Sequence, residues 1–373
     1  MAFMTADWNG TESLPIEDFH HVEFYVGNAK QAAHFYRSAF GFEAFAYSGP
    51  ETGRRDAVSY VLKQNHIFIV LTTALSSRHP VAEWQQKHGD GVKDIAFQVT
   101  DVRACFEKAL KLGAKEAFAP RELKDEKGSV WIAGIQTYGD TIHTFVNRQN
   151  YKGCWLPGFR EHKLPSLNRP SAGLKFIDHI VGNVELGKMD HWTEYYKNIF
   201  GFTHFIRFDE TDISTKFSAL KSNVVRNKNW HVKMPLNEPA KGLKKSQIEE
   251  FLDFYEGPGV QHIALATENI VETISSLRAN GVEFLDAPDS YYEELSGRVG
   301  QIAEDVKQLK NLGILVDRDE EGYLLQLFTK PIEDRPTFFF EIIQRKGALG
   351  FGQGNFQALF ESIEKEQAKR GNL

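Results

Sequence analysis

The sequence predicts an α+β protein made of two similar halves, each with the order strand, helix, strands, and then the same order again. Three observations predict this fold class. Three pairs of segments match in the same order along the two halves, the predicted helices carry apolar residues at helical spacing, and a stretch rich in proline and glycine separates the halves. With 373 residues, the chain has room for two domains.

The first pair of matching segments covers residues 19–45 and 176–205. Each begins with a β-rich run, continues through Gly-Asn, and then has a helical pattern that ends in Phe-Gly-Phe. Gly41 and Gly201 stand where the end of a helix requires a positive φ angle, which glycine adopts without steric cost. We therefore expect a helix to end at each of these glycines.

The second and third pairs extend the match downstream. Residues 91–101 align with residues 259–269, and in both halves an amphipathic helix follows that ends beside a glycine. Residues 140–148 align with residues 337–345 near the end of each half. These collinear matches indicate an internal duplication rather than two generic α+β segments.

Residues 151–175 separate the two halves. They contain three prolines and three glycines and show little hydrophobic periodicity, which is typical of a linker packed on the surface. We therefore predict an N-terminal domain over residues 12–160 and a C-terminal domain over residues 172–373.

The composition excludes several classes of protein. The chain has 44 Lys and Arg against 50 Asp and Glu, and a net charge of −6 gives no reason to expect nucleic acid or an anionic membrane as a partner. Two cysteines exclude a disulfide framework, and no run approaches the ~20 apolar residues of a transmembrane helix. The N-terminus is acidic and lacks the pattern of a signal peptide, so we expect a cytoplasmic protein.

Three residues of the second half offer a candidate metal site. His179, His262 and Glu341 each lie in an apolar strand pattern, in the segments FIDHIV, GVQHIAL and FFFEII. Neutral imidazoles and a carboxylate that converge from separate strands are a typical ligand set for a divalent transition metal. An ionised Glu341 among Phe and Ile is costly to bury unless it is paired or bound to a metal.

The first half carries His21, Asp94 and Thr144 at the aligned positions. It lacks one imidazole and has no carboxylate at the third position, so the comparison predicts one competent metal site and one decayed copy. An alternative stays open at this point. A lone histidine in a strand is usually a core residue satisfied by hydrogen bonds, and the three candidates of the second half share no local spacing signature.

The remaining histidines are predicted to be structural or exposed. His20 and His143 lie in strand patterns and are expected to be structural. His88 is one of seven histidines in polar or loop-like contexts, which we expect on the surface. Cys105 lies on an amphipathic helix and is expected in the core rather than as a nucleophile.

Several motifs of the second half carry a family resemblance. They are FIDHIVGNV, LNEP with KSQI, GPGVQHIAL, LGILVDRDEEGYLLQLFTKP, RPTFFFEIIQR and GFGQGNFQALF. With these motifs the chain resembles the 4-hydroxyphenylpyruvate dioxygenase family of the vicinal oxygen chelate superfamily, over nearly its whole length. The resemblance implies two open-barrel domains of tandem βαβββ modules, a C-terminal helix, and iron in the C-terminal domain alone.

The resemblance also implies an activity. Members of the family are Fe(II)-dependent dioxygenases that use O2 to decarboxylate 4-hydroxyphenylpyruvate, hydroxylate its ring and move its side chain, which gives homogentisate and CO2 in tyrosine catabolism. The substrate supplies its own 2-oxo acid group, so no separate 2-oxoglutarate is expected. Members tend to form dimers or tetramers, so we expect a homodimer or homotetramer.

The resemblance assigns roles to individual residues by motif. The implied Fe(II) ligands are His179, His262 and Glu341. The implied catalytic polar residues are Ser222, Asn237, Gln247, Gln261 and Gln326. The implied substrate-binding residues are Pro235, Phe328, Phe339, Asn355 and Phe356. If the resemblance is left aside, core packing would account for each of these phenylalanines. Hydrogen bonding at the surface or at a strand edge would account for each glutamine.

The last helical pattern of the chain, residues 355–371, is predicted to form a hinged lid. Its apolar face carries Phe356, Leu359, Phe360 and Ile363. Asn355 follows the glycine-rich GFGQG and is expected to cap the helix.

Three other functions stay open from the sequence. A 4-hydroxymandelate synthase uses the same substrate and iron but hydroxylates the benzylic carbon, and in family terms the aromatic Phe356 at the lid favours attack on the ring instead. An extradiol ring-cleaving dioxygenase would consume a catechol without releasing CO2. A non-catalytic protein of this fold would bind an aromatic ligand without iron.

Overall fold

The structure is a computed structural model. It describes residues 13–165, 167, 172–209, 215 and 217–372. Residue 12 and residue 373, where the two predicted domains begin and end, lie outside the described residues, as does most of the N-terminal segment on which the targeting prediction rests. Among the described helices, none combines the length and the apolar character that crossing a membrane requires.

Two mixed β-sheets form the framework of the described chain. The strands of the first half are β1 (Ile16–Tyr25), β2 (Glu43–Ser48), β3 (Ala57–Gln64), β4 (Ile67–Ala74), β5 (Gly91–Val99), β6 (Glu116–Asp125), β7 (Gly128–Gln136), β8 (Ile142–Asn147) and β9 (Arg160–Glu161). The strands of the second half are β10 (Leu174–Asn183), β11 (Thr203–Phe208), β12 (Ala219–Arg226), β13 (Lys233–Ala240), β14 (Gly259–Thr267), β15 (Leu315–Arg318), β16 (Tyr323–Phe328) and β17 (Phe339–Lys346).

Helices connect the strands. The α-helices are α1 (Ala29–Phe40), α2 (Pro80–His88), α3 (Val102–Lys111), α4 (Met189–Tyr195), α5 (Gln247–Tyr255), α6 (Ile270–Ala279), α7 (Asp289–Glu293), α8 (Leu295–Val299), α9 (Val306–Leu312) and α10 (Phe356–Arg370). Short 3₁₀ turns cover Pro50–Thr52 and Gln353–Asn355, and a π-helical turn, Tyr196–Phe200, extends α4.

The element order confirms the predicted fold class of tandem βαβββ modules. Within the described residues, the modules are β1-α1-β2-β3-β4 and β5-α3-β6-β7-β8 in the first half, and β10-α4-β11-β12-β13 and β14-α6-β15-β16-β17 in the second. The sheet orders are β6-β7-β8-β5-β1-β4-β3-β2-β9 and β11-β12-β13-β10-β14-β17-β16-β15. In each sheet the first strands of its two modules pair antiparallel at the centre, β1 with β5 and β10 with β14.

The repeated Phe-Gly-Phe segments take part in the contact between the two halves. The ring of Phe40, at the end of α1, lies 5.0 Å from the ring of Phe340 on β17. The ring of Phe200, after α4, lies 5.6 Å from the ring of Phe97 on β5. The first helix of each half packs mainly on its own sheet, and its aromatic end also contacts the sheet of the other half. One apolar core runs through both halves. The prediction that helices end at Gly41 and Gly201 is confirmed by their left-handed φ angles of 75° and 67°.

The linker differs from its prediction as a purely surface segment. Trp155 is buried, and its ring packs on His20 and stacks on Phe68. Arg160 and Glu161 form β9, which adds a strand to the edge of the first sheet. The apolar bulk of Trp155 explains the difference, because burying a large aromatic side chain contributes several kcal/mol at about 25 cal/mol per Å² of apolar area.

The surface prediction for His88 is wrong. This residue ends α2 and is 1% exposed. Its Nδ1 lies 2.5 Å from the backbone oxygen of Tyr255, and its Nε2 lies 2.9 Å from Oδ2 of Asp140. The polar sequence context did not reveal that α5 of the second half packs over this position.

Candidate metal centre and substrate cavity

The three candidate ligands lie on neighbouring strands at one level of the second sheet. His179 on β10 and Glu341 on β17 both pair with Ala264, one from each side of β14. His262 lies two residues before Ala264 on the same strand, so its side chain projects from the same face as that of Ala264. The register of three strands therefore brings together residues that are far apart in the sequence.

The ligand atoms of these three residues converge in a buried position. One atom from each lies within 4.8 Å of the other two. Oε2 of Glu341 is 3.1 Å from Nε2 of His179 and 3.4 Å from Nε2 of His262. All three residues are buried. Among the described residues, this is the group of three or more His, Cys, Asp or Glu side chains that can hold a metal ion.

Electrostatics keep Glu341 ionised in this buried position. Burial alone would raise the pKa of Glu341, but the charge of His179 and hydrogen bonds from both imidazoles lower it to about 2. Burial also opposes protonation of His179, yet the Glu341 and Asp178 carboxylates raise the pKa of His179 above its ordinary value. For His262 burial prevails, and its pKa is lowered. A carboxylate is thus available as an anionic ligand without protonation.

The second nitrogen of each imidazole is occupied by a neighbouring side chain. Nδ1 of His179 donates to Oδ1 of Asp178 at 2.8 Å, and Nδ1 of His262 lies 3.0 Å from Oε1 of Gln261. These bonds turn the Nε2 atom of each imidazole toward Glu341, where both can serve as ligands to a metal ion. Two imidazoles and one carboxylate with further positions open form the donor set that non-haem Fe(II) proteins use, so the residues present fit such an ion.

One cavity begins at these ligands. It encloses about 580 Å³ of empty space, a volume that includes its open mouth. The predicted site residues that line it are His179, Ser222, Pro235, Asn237, Gln247, Gln261, His262, Gln326, Phe328, Phe339, Glu341 and Phe356. They come from β10, β12, β13, β14, β16, β17, α5 and α10, so the sheet curls around the cavity as the predicted open barrel requires.

Five further residues line the cavity and were not predicted. They are Val181, Phe208, Leu220, Val224 and Phe351. Strand alternation would have found three of them. Leu220 and Val224 flank Ser222 at a spacing of two on β12. Val181 follows His179 at the same spacing. Phe351 lies in a loop after β17, where no periodicity indicates which way a side chain points.

A polar group on the cavity wall has no partner within the protein. Oε1 of Gln326 is buried, and no described residue donates a hydrogen bond to it. Such orphaned polar atoms are rare, because each costs about 1–3 kcal/mol when it is left without a bond. Ser222 and Asn237 face each other across β12 and β13 on the same wall. The cavity therefore combines aromatic walls with hydrogen-bonding groups that remain open to a ligand.

The final helix closes one side of the cavity. Phe356, Leu359 and Phe360 of α10 all face the cavity. Oε1 of Glu364 accepts a hydrogen bond from Oγ of Ser218 at 2.6 Å, and Arg370 donates to both carboxylate oxygens of Glu250 at 3.2 and 2.8 Å. These polar contacts tie the C-terminal half of the helix to the segment before β12 and to α5.

The prediction for Asn355 needs correction. Asn355 stands at the start of α10, but its side chain makes no capping hydrogen bond and it is not part of the cavity wall. Its Oδ1 instead accepts a hydrogen bond of 2.6 Å from the hydroxyl of Tyr291. The residue has helical backbone angles, and this geometry turns the side chain away from the amides that a cap would satisfy.

The strand register confirms that His21, Asp94 and Thr144 occupy the equivalent positions in the first sheet. His21 pairs with Ala96 as His179 pairs with Ala264, and Asp94 lies two residues before Ala96. Asp94 accepts hydrogen bonds from the backbone nitrogen and the hydroxyl of Thr144, at 3.0 and 2.5 Å. Within the described residues no three-ligand group forms here. Thr144 is the hydrogen-bond partner of the Asp94 side chain in this sheet.

Replacement of Asp94 is expected to change how stability depends on pH. Burial raises the pKa of Asp94 to about 7, so the folded state favours the protonated acid. The wild-type protein therefore loses stability as the pH rises from about 5 to about 8. The side chain introduced by Asp94→Asn cannot ionise, so the variant does not lose stability for this reason over the same range. We expect the variant to gain roughly 1–4 kcal/mol relative to wild type over this range, measured as the free energy of unfolding in urea.

The matched control for this prediction is Glu107→Gln on the exposed face of α3. Its stability relative to wild type is expected to stay nearly constant, since exposed substitutions usually act within about 0.5 kcal/mol. If the free energies of unfolding of Asp94→Asn and wild type differed by the same amount at about pH 5 and about pH 8, the buried, protonated state of Asp94 would be contradicted.

Comparisons with known proteins agree with this geometry. A family model described as the Glyoxalase/Bleomycin resistance protein/Dioxygenase superfamily matches residues 18–132 and 176–327. The 4-hydroxyphenylpyruvate dioxygenase of Yarrowia lipolytica is 50% identical over 370 residues, which cover 95% of this chain and 93% of that protein. The protein of the same name from Danio rerio is 51% identical over 367 residues, covering 95% of this chain and 92% of that protein.

A solved structure shows the same fold. An engineered mutant of 4-hydroxymandelate synthase from Streptomyces coelicolor superposes with a TM-score of 0.85 at 34% identity, covering 95% of this chain and 100% of that chain. The identity to the dioxygenases is higher than the identity to this synthase. The chain therefore belongs to the 4-hydroxyphenylpyruvate dioxygenase family, within the Glyoxalase/Bleomycin resistance protein/Dioxygenase superfamily.

Proposed function

We propose that this chain is a 4-hydroxyphenylpyruvate dioxygenase, which converts 4-hydroxyphenylpyruvate and O2 into homogentisate and CO2 in tyrosine catabolism. The observation that carries the proposal is the convergence of His179, His262 and Glu341 at one end of a cavity with aromatic and polar walls. Relatives with this name, about half identical to the chain over 95% of its length, support it.

The proposed metal is Fe(II), bound by His179, His262 and Glu341. Two neutral imidazole nitrogens and one carboxylate suit a divalent ion of intermediate softness, and this trio is typical of non-haem iron oxygenases. When bound, Fe(II) supplies the activation of dioxygen that is coupled to oxidative decarboxylation of the 2-oxo acid. Asp178 and Gln261 keep the two imidazoles in the tautomer that leaves Nε2 free to bind it.

The proposed role of the cavity walls is to orient the substrate and exclude water. Phe328, Phe339 and Phe356 offer aromatic surface against which a phenol ring can pack, in stacked or edge-to-face contact. A dry cavity protects a reactive oxidant from side reactions with water. The polar residues Ser222, Asn237, Gln247, Gln261 and Gln326 are proposed to bind the ring hydroxyl and the acid group.

Gln247 provides a test of hydroxyl recognition. It begins α5, and its buried side chain lines the cavity. We expect Gln247→Met to lower kcat/KM for 4-hydroxyphenylpyruvate by about 10- to 100-fold, because the loss of a hydrogen bond to a buried polar group costs about 1–3 kcal/mol. Binding of phenylpyruvate, which lacks the hydroxyl, should change much less.

The control for this variant is Gln308→Met on α9, where the side chain is exposed. This variant should leave both kcat/KM for 4-hydroxyphenylpyruvate and the binding of phenylpyruvate unchanged. Equal losses for the two ligands in Gln247→Met would mean that this residue does not read the ring hydroxyl.

We propose that the two domains have different roles. The C-terminal domain, residues 172–373, would carry the metal and the lid, and the N-terminal domain, residues 12–160, would carry no metal. The Asp94–Thr144 hydrogen bonds in the first sheet support this division. The homodimer or homotetramer and the cytoplasmic location stay predictions, and sedimentation equilibrium would test the first of them.

Oxygen uptake with product analysis tests the proposed reaction. Protein purified without oxygen and loaded with Fe(II) should consume one O2 and release one CO2 for each 4-hydroxyphenylpyruvate. Homogentisate and 4-hydroxymandelate are isomers, so the products must be separated by chromatography and distinguished by the benzylic proton signal in NMR. Homogentisate would support the proposal, and its absence from a turnover mixture would refute it.

A second candidate is 4-hydroxymandelate synthase, because the synthase structure is similar over 95% of this chain. It would give 4-hydroxymandelate in the same assay. Catechol consumption without CO2 would instead indicate an extradiol dioxygenase. Protein that binds the aromatic acid but no iron would be a non-catalytic binding protein.

A further inference from the structure

An ion pair between a buried aspartate and a partly buried arginine lies directly behind one of the proposed metal ligands. Arg345 is on β17, four residues after Glu341, and Asp178 precedes His179 on β10. Nε of Arg345 donates to Oδ2 of Asp178 at 2.8 Å, and Nη2 donates to Oδ1 at 2.9 Å. Asp178 is 2% exposed. A bidentate pair of this kind fixes the carboxylate in both position and orientation.

The same carboxylate holds His179. Oδ1 of Asp178 accepts the hydrogen from Nδ1 of His179 at 2.8 Å, while it also accepts from Nη2 of Arg345. Residues that bond the second nitrogen of a ligating imidazole set its tautomer and its ring orientation. Lys233 also approaches Asp178, at 3.7 Å, but a single ammonium group cannot reproduce the two parallel bonds of a guanidinium.

The other face of Arg345 holds the loop that leads to the lid. Nη1 donates to the backbone oxygens of Ala348 and Gly350, at 3.2 and 2.6 Å. The guanidinium lies 5.5 Å from the ring centre of Phe351, and that ring lies 4.9 Å from the ring of His179. One side chain therefore contacts the support of a metal ligand and the segment that precedes α10.

We propose that Arg345 is a positioning residue that ties His179, through Asp178, to the loop carrying Phe351. Arg345 does not reach the cavity itself. Its predicted effect is to hold the His179 ring where Nε2 meets the metal, and to hold Phe351 against that ring at the base of the lid. Metal binding and the order of residues 351–360 should then depend on the same guanidinium.

Binding of cobalt(II) tests this proposal without turnover. Cobalt(II) binds the same nitrogen and oxygen donors, and its visible spectrum reports their geometry. We expect Arg345→Met to weaken cobalt(II) binding by about 10- to 100-fold, as is typical when a group that supports a metal ligand is removed. Arg345→Lys keeps the charge but loses the paired bonds, so it should also weaken binding. Arg103→Lys, far away on α3, should bind cobalt(II) like wild type.

Two further measurements separate positioning from a merely structural role. Hydrogen exchange of residues 351–360 should be faster in both Arg345 variants, and adding cobalt(II) should slow it less than in wild type. In a double-mutant cycle, Arg345→Met should add little to the effect of Asp178→Asn on the cobalt(II) dissociation constant, because both changes interrupt one chain of contacts. The proposal would be overturned if the two substitutions had additive effects on the cobalt(II) dissociation constant and hydrogen exchange of residues 351–360 were unchanged in the Arg345 variants.

The inference rests on the proposed metal ligands, and the two can fail separately. If wild-type protein binds no cobalt(II), the proposed function fails as well. If wild type binds and both Arg345 variants bind equally well, the inference alone is overturned. Should Arg345→Met not fold, Arg345→Lys and its cycle with Asp178→Asn decide the question by the same criteria.

Discussion

Glu341→Gln is expected to remove tight metal binding and, with it, turnover. The substitution keeps the size and shape of the side chain but replaces the anionic ligand by a neutral amide between two imidazoles that lie 3.1 and 3.4 Å away. Loss of groups that only support a metal ligand already costs about 10- to 100-fold in affinity, so loss of the charged ligand itself should cost more than about 100-fold. Titration calorimetry with Fe(II) under nitrogen measures the affinity, and oxygen uptake measures the activity.

The duplicated architecture supplies a matched control for this variant. Thr144 stands at the equivalent position of the first sheet, and Thr144→Val should leave the affinity for Fe(II) unchanged. Circular dichroism should show that both variants are folded. If Glu341→Gln bound Fe(II) as tightly as wild type, Glu341 would not be a ligand and the proposed metal centre would be wrong.

Deletion of residues 352–373 is expected to abolish turnover while leaving the two sheets folded. The deletion removes Phe356, Leu359 and Phe360 from the cavity wall and opens the site to water. Misplacement of a bound substrate by about 1 Å already costs roughly 100-fold in rate, so an open cavity should cost at least as much. The ligand triad lies on strands that the deletion does not touch, and cobalt(II) binding should therefore persist.

Steady-state kinetics and cobalt(II) binding, measured on the same preparation, decide this prediction. Lys369→Ala is the control, because its ion pair with Glu366 on the exposed side of α10 is a surface pair of little energetic weight. Retained turnover in the truncated protein would refute the lid role. Loss of cobalt(II) binding together with turnover would show that α10 is required for the fold of the site and does more than cover it.

The predicted architecture depended on local patterns that the tertiary structure preserves. The helices ending at Gly41 and Gly201 follow from apolar periodicity and from the φ angle that a helix end requires. The duplication predicted the module order, and it also pointed to His179, His262 and Glu341 by comparison with a half that lacks two of these ligands. Alternation along β12 would have added Leu220 and Val224, since strand geometry is equally local.

Other features were not accessible from local patterns. His88 and the linker that contains Trp155 were expected on the surface because their sequence is polar or irregular. A distant part of the chain nevertheless covers both His88 and Trp155. The side chain of Asn355 bonds Tyr291 rather than the helix amides. Nothing in the sequence around Asp178 indicates that its partner is Arg345, 167 residues later.

By itself the sequence determined the α+β class, the duplication, the chemical character of the ligands and the apolar face of the final helix. These properties depend on residue type and on periods of 2 and 3.6 residues, which act over a few positions of the chain. The tertiary structure alone decided that three ligands meet at one point, that Arg345 supports one of them, and which side chains line the cavity. Those outcomes depend on sheet order and register between distant segments: Glu341 lies 162 residues after His179, and Arg345 lies 167 residues after Asp178. No local period encodes them.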